Sequence, residues 1–164
     1  MQDVVPSLKV TKIFPDAETP TRAHSTDSGL DLRAYRFETL FTPTGPLDAR
    51  ESKEITLHML DRVLINTGVK ATVGPGYEIQ IRPRSGLAVK NGLTVLNTPG
   101  TIDESYRGPL GVILINVSNT PHKITKGMRI AQMVVCPVVL SPVHLVEDLD
   151  VTVRGAGGFG STGA

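Results

Sequence analysis

The sequence predicts an all-β fold: a sandwich, a jelly roll or a barrel. Short runs in which apolar and polar residues alternate recur along the 164 residues, and turn-forming segments separate them. Glycine and proline are frequent, with 16 and 12 copies, aromatic residues make up only 4%, and no run sustains a helical period. Many short strands joined by tight turns are typical of two packed sheets or a closed barrel. The length suits one domain.

The individual elements follow from the same patterns. Alternation predicts a first strand over 8–13, and further strands over 54–57, 62–65, 77–81, 110–117, 129–140 and 143–146. Turn signals fall between them, at 73–76, 118–121 and 126–127. One short helix is predicted over 85–90, ended by Asn91 and Gly92. Residues 37–60 are polar and contain Pro43, Gly45 and Pro46, so we interpret them as an irregular excursion from the sheet.

The net charge, the amino-terminal residues and the cysteine content argue against several classes of protein. The 17 basic and 16 acidic residues give a net charge of +1, which argues against bulk electrostatic binding to nucleic acid or a membrane. Residues 1–6 contain no basic region followed by an apolar stretch, so we expect no signal peptide, no membrane span and a cytoplasmic protein. Cys136 is the only cysteine, and its apolar neighbours predict a buried thiol.

The segment around Arg84 is the first candidate for chemistry. A predicted strand ends at Pro83 and a helix begins near Ser85, where free backbone N–H groups attract anions. Arg84, Ser85 and Gly86 therefore predict a phosphate cradle. An ordinary capped turn is the alternative, and the segment lacks the Gly-Lys-Ser/Thr of a Walker loop.

The second candidate is the hairpin-like turn over 97–108, where Asp103, Glu104, Tyr106 and Arg107 stand within five residues. A carboxylate there could orient a water molecule, and the tyrosine ring could pack on a sugar. A solvated β-turn is the alternative interpretation.

Two polar residues interrupt apolar runs. Asp31 lies between Leu30 and Leu32 at the start of a strand, and a carboxylate in that setting needs a polar partner. Gln132 likewise is predicted to face a polar pocket or an interface. Magnesium needs only one or two carboxylates plus substrate phosphates, so Asp31 is a candidate helper for Mg²⁺. A zinc site is not indicated, because no ligand spacing links His24, His58, His122 and His144.

The carboxyl-terminal segment 154–164 contains five glycines in eleven residues, which makes it costly to order and mobile when alone. It is either a frayed terminus or an arm that wraps a phosphate. The second interpretation depends on Arg154 as a cation, Phe159 as a stacking ring, and Ser161 and Thr162 as hydroxyl donors.

Five segments in this order resemble the motifs of the trimeric deoxyuridine triphosphate pyrophosphatase (dUTPase) family; they are 27–32, 83–88, 100–108, 126–132 and 154–163. The resemblance implies a distorted jelly-roll β-barrel with one short helix, assembled as a homotrimer. It implies a catalytic domain over 1–153 and a flexible glycine-rich arm over 154–164 that closes a neighbouring subunit's site. It also implies that 37–60 is a surface insertion.

The resemblance assigns roles for Mg²⁺-dependent hydrolysis of dUTP to dUMP and pyrophosphate, which protects DNA from uracil and supplies dUMP for thymidylate synthesis. By this resemblance, Asp103 would position and deprotonate the water that attacks the α-phosphorus, Asp31 would hold the magnesium through water, and Arg154 would hold the γ-phosphate. The implied substrate-binding residues are Arg84, Ser85, Gly86 and Gln132 on the phosphates, Asn97, Gly100, Thr101 and Ile102 on uracil, Tyr106 under the deoxyribose, Phe159 over the base, and Gly160, Ser161 and Thr162 on the arm.

Two alternatives remain open at this point. A dCTP deaminase shares the fold and the trimer but activates water with a glutamate and lacks the glycine-rich fifth motif, so Asp103 and the segment 154–163 favour the pyrophosphatase. A trimeric binding or signalling protein would keep nucleotide affinity without turnover. The full set of motif residues argues against lost catalysis but leaves room for an added partner on 37–60.

Overall fold

A computed structural model describes residues 6–158, in which thirteen β-strands and one short helix follow one another. The elements are β1 Lys9–Lys12, β2 Leu30–Arg33, β3 Arg36–Thr42, β4 Gly45–Asp48, β5 Glu54–Leu57, β6 Arg62–Asn66, β7 Val69–Thr72, β8 Tyr77–Arg82, α1 Ser85–Asn91, β9 Leu93–Val95, β10 Gly100–Ile102, β11 Gly111–Asn116, β12 His122–Thr125 and β13 Arg129–Pro137. The predicted all-β class is confirmed.

Two larger antiparallel sheets contain most of the strands. One has the order β10-β8-β13-β2, and the other has the order β4-β3-β6-β11-β9. Two small sheets, β1-β7 and β12-β5, complete the fold. Neighbouring strands in the sheets are often distant in the sequence, so residues from separate segments are placed side by side.

The core forms from the inward-facing side chains of both larger sheets. Along β6, Val63 and Ile65 are fully buried, whereas Arg62 and Leu64, which alternate with them, are exposed. The four-stranded sheet contributes Ile79, Ile81 and Met133 to the same cluster. Each such side chain contributes about 1.5–3 kcal/mol by leaving water, so the alternation fixes which face of each strand points inward.

Several predicted strands are confirmed close to their predicted bounds, including those over 54–57, 62–65, 77–81 and 110–117. The strand predicted over 129–140 ends earlier, at Pro137, and the strand predicted over 143–146 is wrong. Alternation signals a half-buried strand only where another strand pairs with it. No other strand in the described part of the chain pairs with 143–146, where Val143 and Leu145 are 98% and 100% exposed.

The interpretation of residues 37–60 as an irregular excursion from the sheet is also wrong. Strands β4 and β5 and nearly all of β3 lie within it, and β3 pairs with the central strand β6. Phe37 and Leu57 are 1% and 0% exposed. The polar appearance of the segment arises because β3 and β5 each place only one face in the core.

Helix α1 begins directly after the end of β8. Arg84, at its amino-terminal boundary, has an extended backbone with φ −90° and ψ 126°. The helix ends at Gly92, which adopts a left-handed conformation with φ 61°. A Cβ at this glycine would also lie 2.7 Å from the Cβ of Ser118.

Within residues 6–158, no helix is long and apolar enough to cross a membrane.

Candidate active site

A cavity of about 660 Å³ lies at the edge of the four-stranded sheet, next to α1. Its walls include five residues predicted from separate parts of the sequence, namely Asp31, Arg84, Ser85, Gly86 and Gln132. We refer to it below as the first cavity. Arginine, serine and backbone N–H groups in one concave surface are suited to binding phosphate oxygens.

Strand register explains how these residues meet. Gln132 on β13 lies directly opposite Asp31 on one side and Arg82 on the other. Directly opposite residues in a sheet point to the same face, so the three side chains form a row. The amide Nε2 of Gln132 donates to the carbonyl oxygen of Pro83 at 3.0 Å, which connects the row to the segment before α1.

Asp31 is the most strongly paired group in the first cavity. Its Oδ1 accepts a hydrogen bond from Nε of Arg84 at 2.9 Å, and its Oδ2 accepts one from Nη1 of Arg129 at 3.0 Å. The side chain is only 17% exposed. The expectation that Asp31 has a polar partner is confirmed, and the partners are two arginines.

A second cavity, of about 560 Å³, lies against the five-stranded sheet. The predicted residues Asn97, Thr101, Ile102, Asp103 and Tyr106 line it. Gly100 is buried beneath them, where a Cβ would approach Nδ2 of Asn97 to 3.2 Å. We refer to this as the second cavity.

The turn that carries Asp103 is held by backbone contacts. Strand β10 pairs with β8, and the N–H of Tyr106 donates to the carbonyl oxygen of Asp103 at 3.1 Å. The hydroxyl of Tyr106 donates to the carbonyl oxygen of Pro109 at 3.0 Å. The carboxylate of Asp103 is exposed and accepts no hydrogen bond from any residue between 6 and 158, so it is available to a water or a ligand.

The two cavities are separate in this chain. Among the described residues, none lines both of them. Arg84 and Gln132 therefore stand in one cavity, while Asp103 and Asn97 stand in the other.

Arg154 lies apart from both cavities. It is exposed, and its Nε donates to the carbonyl oxygen of Gly157 at 2.8 Å within the same segment. Phe159, Gly160, Ser161 and Thr162 lie outside the described residues. The predicted role of the arm is therefore not visible in the geometry of one chain.

Lys126 anchors the turn that precedes β13. Its Nζ contacts Oδ2 of Asp16 at 2.9 Å and lies 3.9 Å from the ring centre of Tyr35. The hydrogen bond that Lys126 donates to the carboxylate of Asp16 raises the pKa of Lys126 above its ordinary value. The N–H of the next residue, Gly127, donates to the carbonyl oxygen of Ala34, and the N–H of Ala34 donates to the carbonyl oxygen of Met128. The turn before β13 is therefore fixed against the end of β2.

Some residues near the cavities were not singled out from the sequence. Arg82 and Lys90 also line the first cavity, and the second includes Glu38, Leu64, Asn66 and Ile113. Alternation along β8 could have indicated Arg82, because Ile79 and Ile81 point to the core and it does not. The same outer face contains Cys136, which is half-buried near Arg82, so the prediction of a buried thiol is wrong.

The fold and the first cavity define a jelly-roll protein with a cationic cavity suited to phosphate groups. The family profile described as dUTPase matches residues 44–163 of the chain. The deoxyuridine 5'-triphosphate nucleotidohydrolase of Crocosphaera subtropica is 50% identical over 156 residues, which cover 95% of this chain and 98% of that protein. The chain belongs to the dUTPase family, as its sequence motifs predict.

Solved structures give the same result for the fold. A variant of the dUTPase of Staphylococcus bacteriophage 80alpha, solved with dUpNHpp, superposes with a TM-score of 0.76 at 26% identity and covers 96% of this chain and 99% of that one. The dUTPase of phage phi11 of S. aureus, which coordinates a structural Mg(II) ion, has a TM-score of 0.70 at 22% identity over 88% and 99% of the two chains. The predicted jelly-roll fold is confirmed.

Proposed function

We propose that the protein hydrolyses dUTP to dUMP and pyrophosphate, through attack of a water on the α-phosphorus, at sites shared between the subunits of a homotrimer. Membership of the dUTPase family and 50% identity to a deoxyuridine 5'-triphosphate nucleotidohydrolase support the reaction. In the cell, the reaction would lower dUTP, keep uracil out of DNA and supply dUMP. A cytoplasmic location is part of the proposal, and a chain with one cysteine suits a reducing compartment.

The observation that carries the proposal is the separation of the two cavities. The phosphate-binding candidates line the first cavity, whereas Asp103 and the base-binding candidates line the second. A water held by Asp103 must reach a phosphate held by Arg84. Apposition of the first cavity of one copy with the second cavity of the next satisfies this requirement, and repeating the contact around a threefold axis closes the ring.

The segment after β13 supports such an assembly. Between Pro137 and Arg154 it forms no strand, and most of its apolar side chains are almost fully exposed: Val139, Leu140, Val143, Leu145, Leu149, Val151 and Val153. Contiguous exposed apolar residues mark an interaction site in a soluble protein. Seated on a neighbouring copy, this segment would bring Arg154 to that copy's site, where Arg154 would hold the γ-phosphate and Phe159 would cover the base.

The chemistry of the site divides among its residues. Arg84, Ser85, Gly86 and Gln132 would bind the phosphate chain, with Gly160, Ser161 and Thr162 adding contacts from the arm. Asp103 would orient the water and accept its proton, because a positioned carboxylate is an effective general base. The cations around the phosphates would stabilise the negative charge that develops during attack.

The carboxylate of Asp31 fits a supporting role for Mg²⁺. It lines the first cavity, and each of its oxygens accepts one hydrogen bond and keeps a further lone pair. Magnesium in such sites keeps several waters and binds mainly to substrate phosphates, so Asp31 would hold it through water. The ion, when bound, would neutralise charge on the triphosphate.

Selectivity for uracil and deoxyribose would come from the second cavity. The backbone of Gly100–Ile102 and the amide of Asn97 would pair with the edge of uracil, and cytosine would leave a donor facing a donor. Sites built around such polar pairing reject the wrong partner by roughly ten-thousandfold. The tight turn would leave no room for the thymine methyl group, and Tyr106 would leave none for a 2′-hydroxyl.

The test is to measure kcat/KM for dUTP, dTTP, dCTP and UTP with magnesium, and to identify the products. We expect dUTP to be strongly preferred and to give pyrophosphate. Asn97→Ala should weaken discrimination against dCTP, and Tyr106→Ala should weaken discrimination against UTP. Release of ammonia from dCTP would identify a deaminase instead, and similar values for all four nucleotides would indicate a general triphosphatase.

A further inference from the structure

Asp31 presents an electrostatic problem for the proposed function. It is a carboxylate with only 17% of its side chain exposed, and it lines the cavity in which we propose that a triphosphate binds. A negative charge repels a polyanion, and the repulsion is stronger where water is partly excluded. The negative charge of Asp31 therefore needs a positively charged partner, and this partner must not be one of the cations that bind phosphate.

Arg84 cannot fill that need alone if it also binds phosphate. It contacts Asp31 through Nε, at 2.9 Å from Oδ1. Neither of its Nη groups donates a hydrogen bond to any residue in the described range 6–158. Asp31 thus fixes the inner end of the guanidinium and leaves its two outer nitrogens for a bidentate contact with phosphate oxygens.

Arg129 supplies the second charge. Its Nη1 lies 3.0 Å from Oδ2, the carboxylate oxygen that Arg84 does not use. A β-bulge between Arg129 and Ala131 shifts the register of β13 against β2, and Gln132 is the residue directly opposite Asp31. Arg129 itself does not appear among the residues that line either cavity.

The neighbouring Arg33 shows that this pairing is selective. Arg33 lies directly opposite Arg129 across the two strands, but its Nε pairs with Glu18 at 2.9 Å and its Nη1 donates to the carbonyl oxygen of Gly127 at 2.8 Å. Arg33 and Arg129 are therefore neighbours in the sheet but donate to different acceptors. Of these two arginines, only Arg129 is paired with Asp31.

From this arrangement, and resting on the proposed function, we infer that Arg129 is a positioning residue that neutralises Asp31. The neutralised carboxylate can orient Arg84 without repelling the triphosphate. Arg129 acts through Asp31 and does not touch the phosphates.

The test is a double-mutant cycle at Asp31 and Arg129. Calorimetry measures the affinity of each variant for dUpNHpp in metal-free buffer. Arg129→Gln leaves Asp31 with one cation and should weaken binding by about fivefold, the upper range for a charge pair in which Asp31 is 17% exposed and Arg129 is 45% exposed. Asp31→Asn combined with Arg129→Gln removes both charges, keeps an acceptor for Arg84, and should recover most of that loss. Arg129→Lys, which keeps the charge, should bind nearly as well as the unaltered protein.

Arg33→Gln is the matched control, because it removes the same charge from the neighbouring position and should leave binding nearly unchanged. A double variant that binds as weakly as Arg129→Gln would overturn the inference, since Arg129 would then contact the phosphates directly. Unchanged binding in Arg129→Gln would also overturn it. If Arg129→Gln does not fold, weak binding of dUpNHpp by Arg129→Lys would overturn the inference, because that variant keeps the positive charge. Failure of the unaltered protein to bind dUpNHpp with magnesium present would overturn the proposed function as well.

Discussion

At the scale of single residues, the contact between Gly29 and Gln132 decides the shape of the first cavity. A Cβ at position 29 would lie 2.0 Å from Oε1 of Gln132, far inside any permitted contact. Gln132 is held in place by its hydrogen bond to Pro83, so it cannot move without losing that bond. Gly29 therefore creates the space in which the amide of Gln132 reaches the cavity.

We expect Gly29→Ala to displace Gln132 and to raise KM for dUTP by about tenfold, which corresponds to the loss of one good hydrogen bond to a charged group. Steady-state kinetics would measure the change. Gly74→Ala is the control, because a Cβ there meets nothing within 4 Å. Equal kinetics in the two variants would show that the position of Gln132 does not matter for substrate binding.

Asp103→Asn tests the proposed general base. The asparagine keeps the size of the side chain but cannot accept the proton, so turnover should fall by on the order of a hundredfold or more. Because the carboxylate is exposed and accepts no hydrogen bond from residues 6–158, the fold and nucleotide binding should be retained. Single-turnover measurements at saturating dUTP separate chemistry from binding. Turnover near that of the unaltered protein would mean that another group handles the water.

Sequence reasoning at this scale worked where a polar residue interrupts an apolar run. Asp31 and Gln132 were predicted in this way, and both line the first cavity. The pairing of Arg129 with Asp31 could not be predicted, because it depends on a β-bulge that shifts the register of two distant strands. Bulges leave only a weak trace in a pattern of apolar and polar residues.

At the scale of elements, strands that alternate clearly between core and solvent were predicted almost to the residue, as for β5 and β6. Strand β3 was missed because only Phe37 is fully buried along it and its other side chains are partly exposed. The opposite error occurred at 143–146, where alternation exists but no partner strand lies in the described part of the chain. The missed strand β3 and the wrongly predicted strand at 143–146 differ in whether another element packs or pairs with them. The alternation pattern of a single segment does not report this.

The segment after β13 leads to a prediction for two truncated variants. A chain that ends at Val153 loses Arg154 and Phe159 but keeps the exposed apolar residues, so it should remain trimeric while its turnover falls by about a hundredfold. A chain that ends at Pro137 loses the apolar residues as well and should sediment mainly as smaller species. Analytical ultracentrifugation and kinetics measure the two effects. A monomer with full activity would contradict the shared-site arrangement.

At the scale of the whole molecule, the main finding is that the candidate site residues of one chain line two separate cavities. The candidate site residues could be predicted from the sequence, and those in the described range line the two cavities or lie beside them, except for Arg154, which lies apart from both. The separation of the cavities could not be predicted from the residues alone, because spacing along the chain does not report distances across sheets. Within the sequence itself, only the resemblance to the dUTPase family indicated a trimer.

Mixing two inactive variants tests the shared site most directly. Asp103→Asn and Arg84→Gln should each have little activity as homotrimers. After unfolding and refolding together in equal amounts, a site that takes Arg84 from one subunit and Asp103 from the next is intact in about one quarter of cases, so about a quarter of the normal activity should return. The same variants refolded separately and then mixed are the control. No recovery in refolded mixtures that sedimentation shows to be mixed trimers would place Arg84 and Asp103 of each site in the same chain and contradict the account.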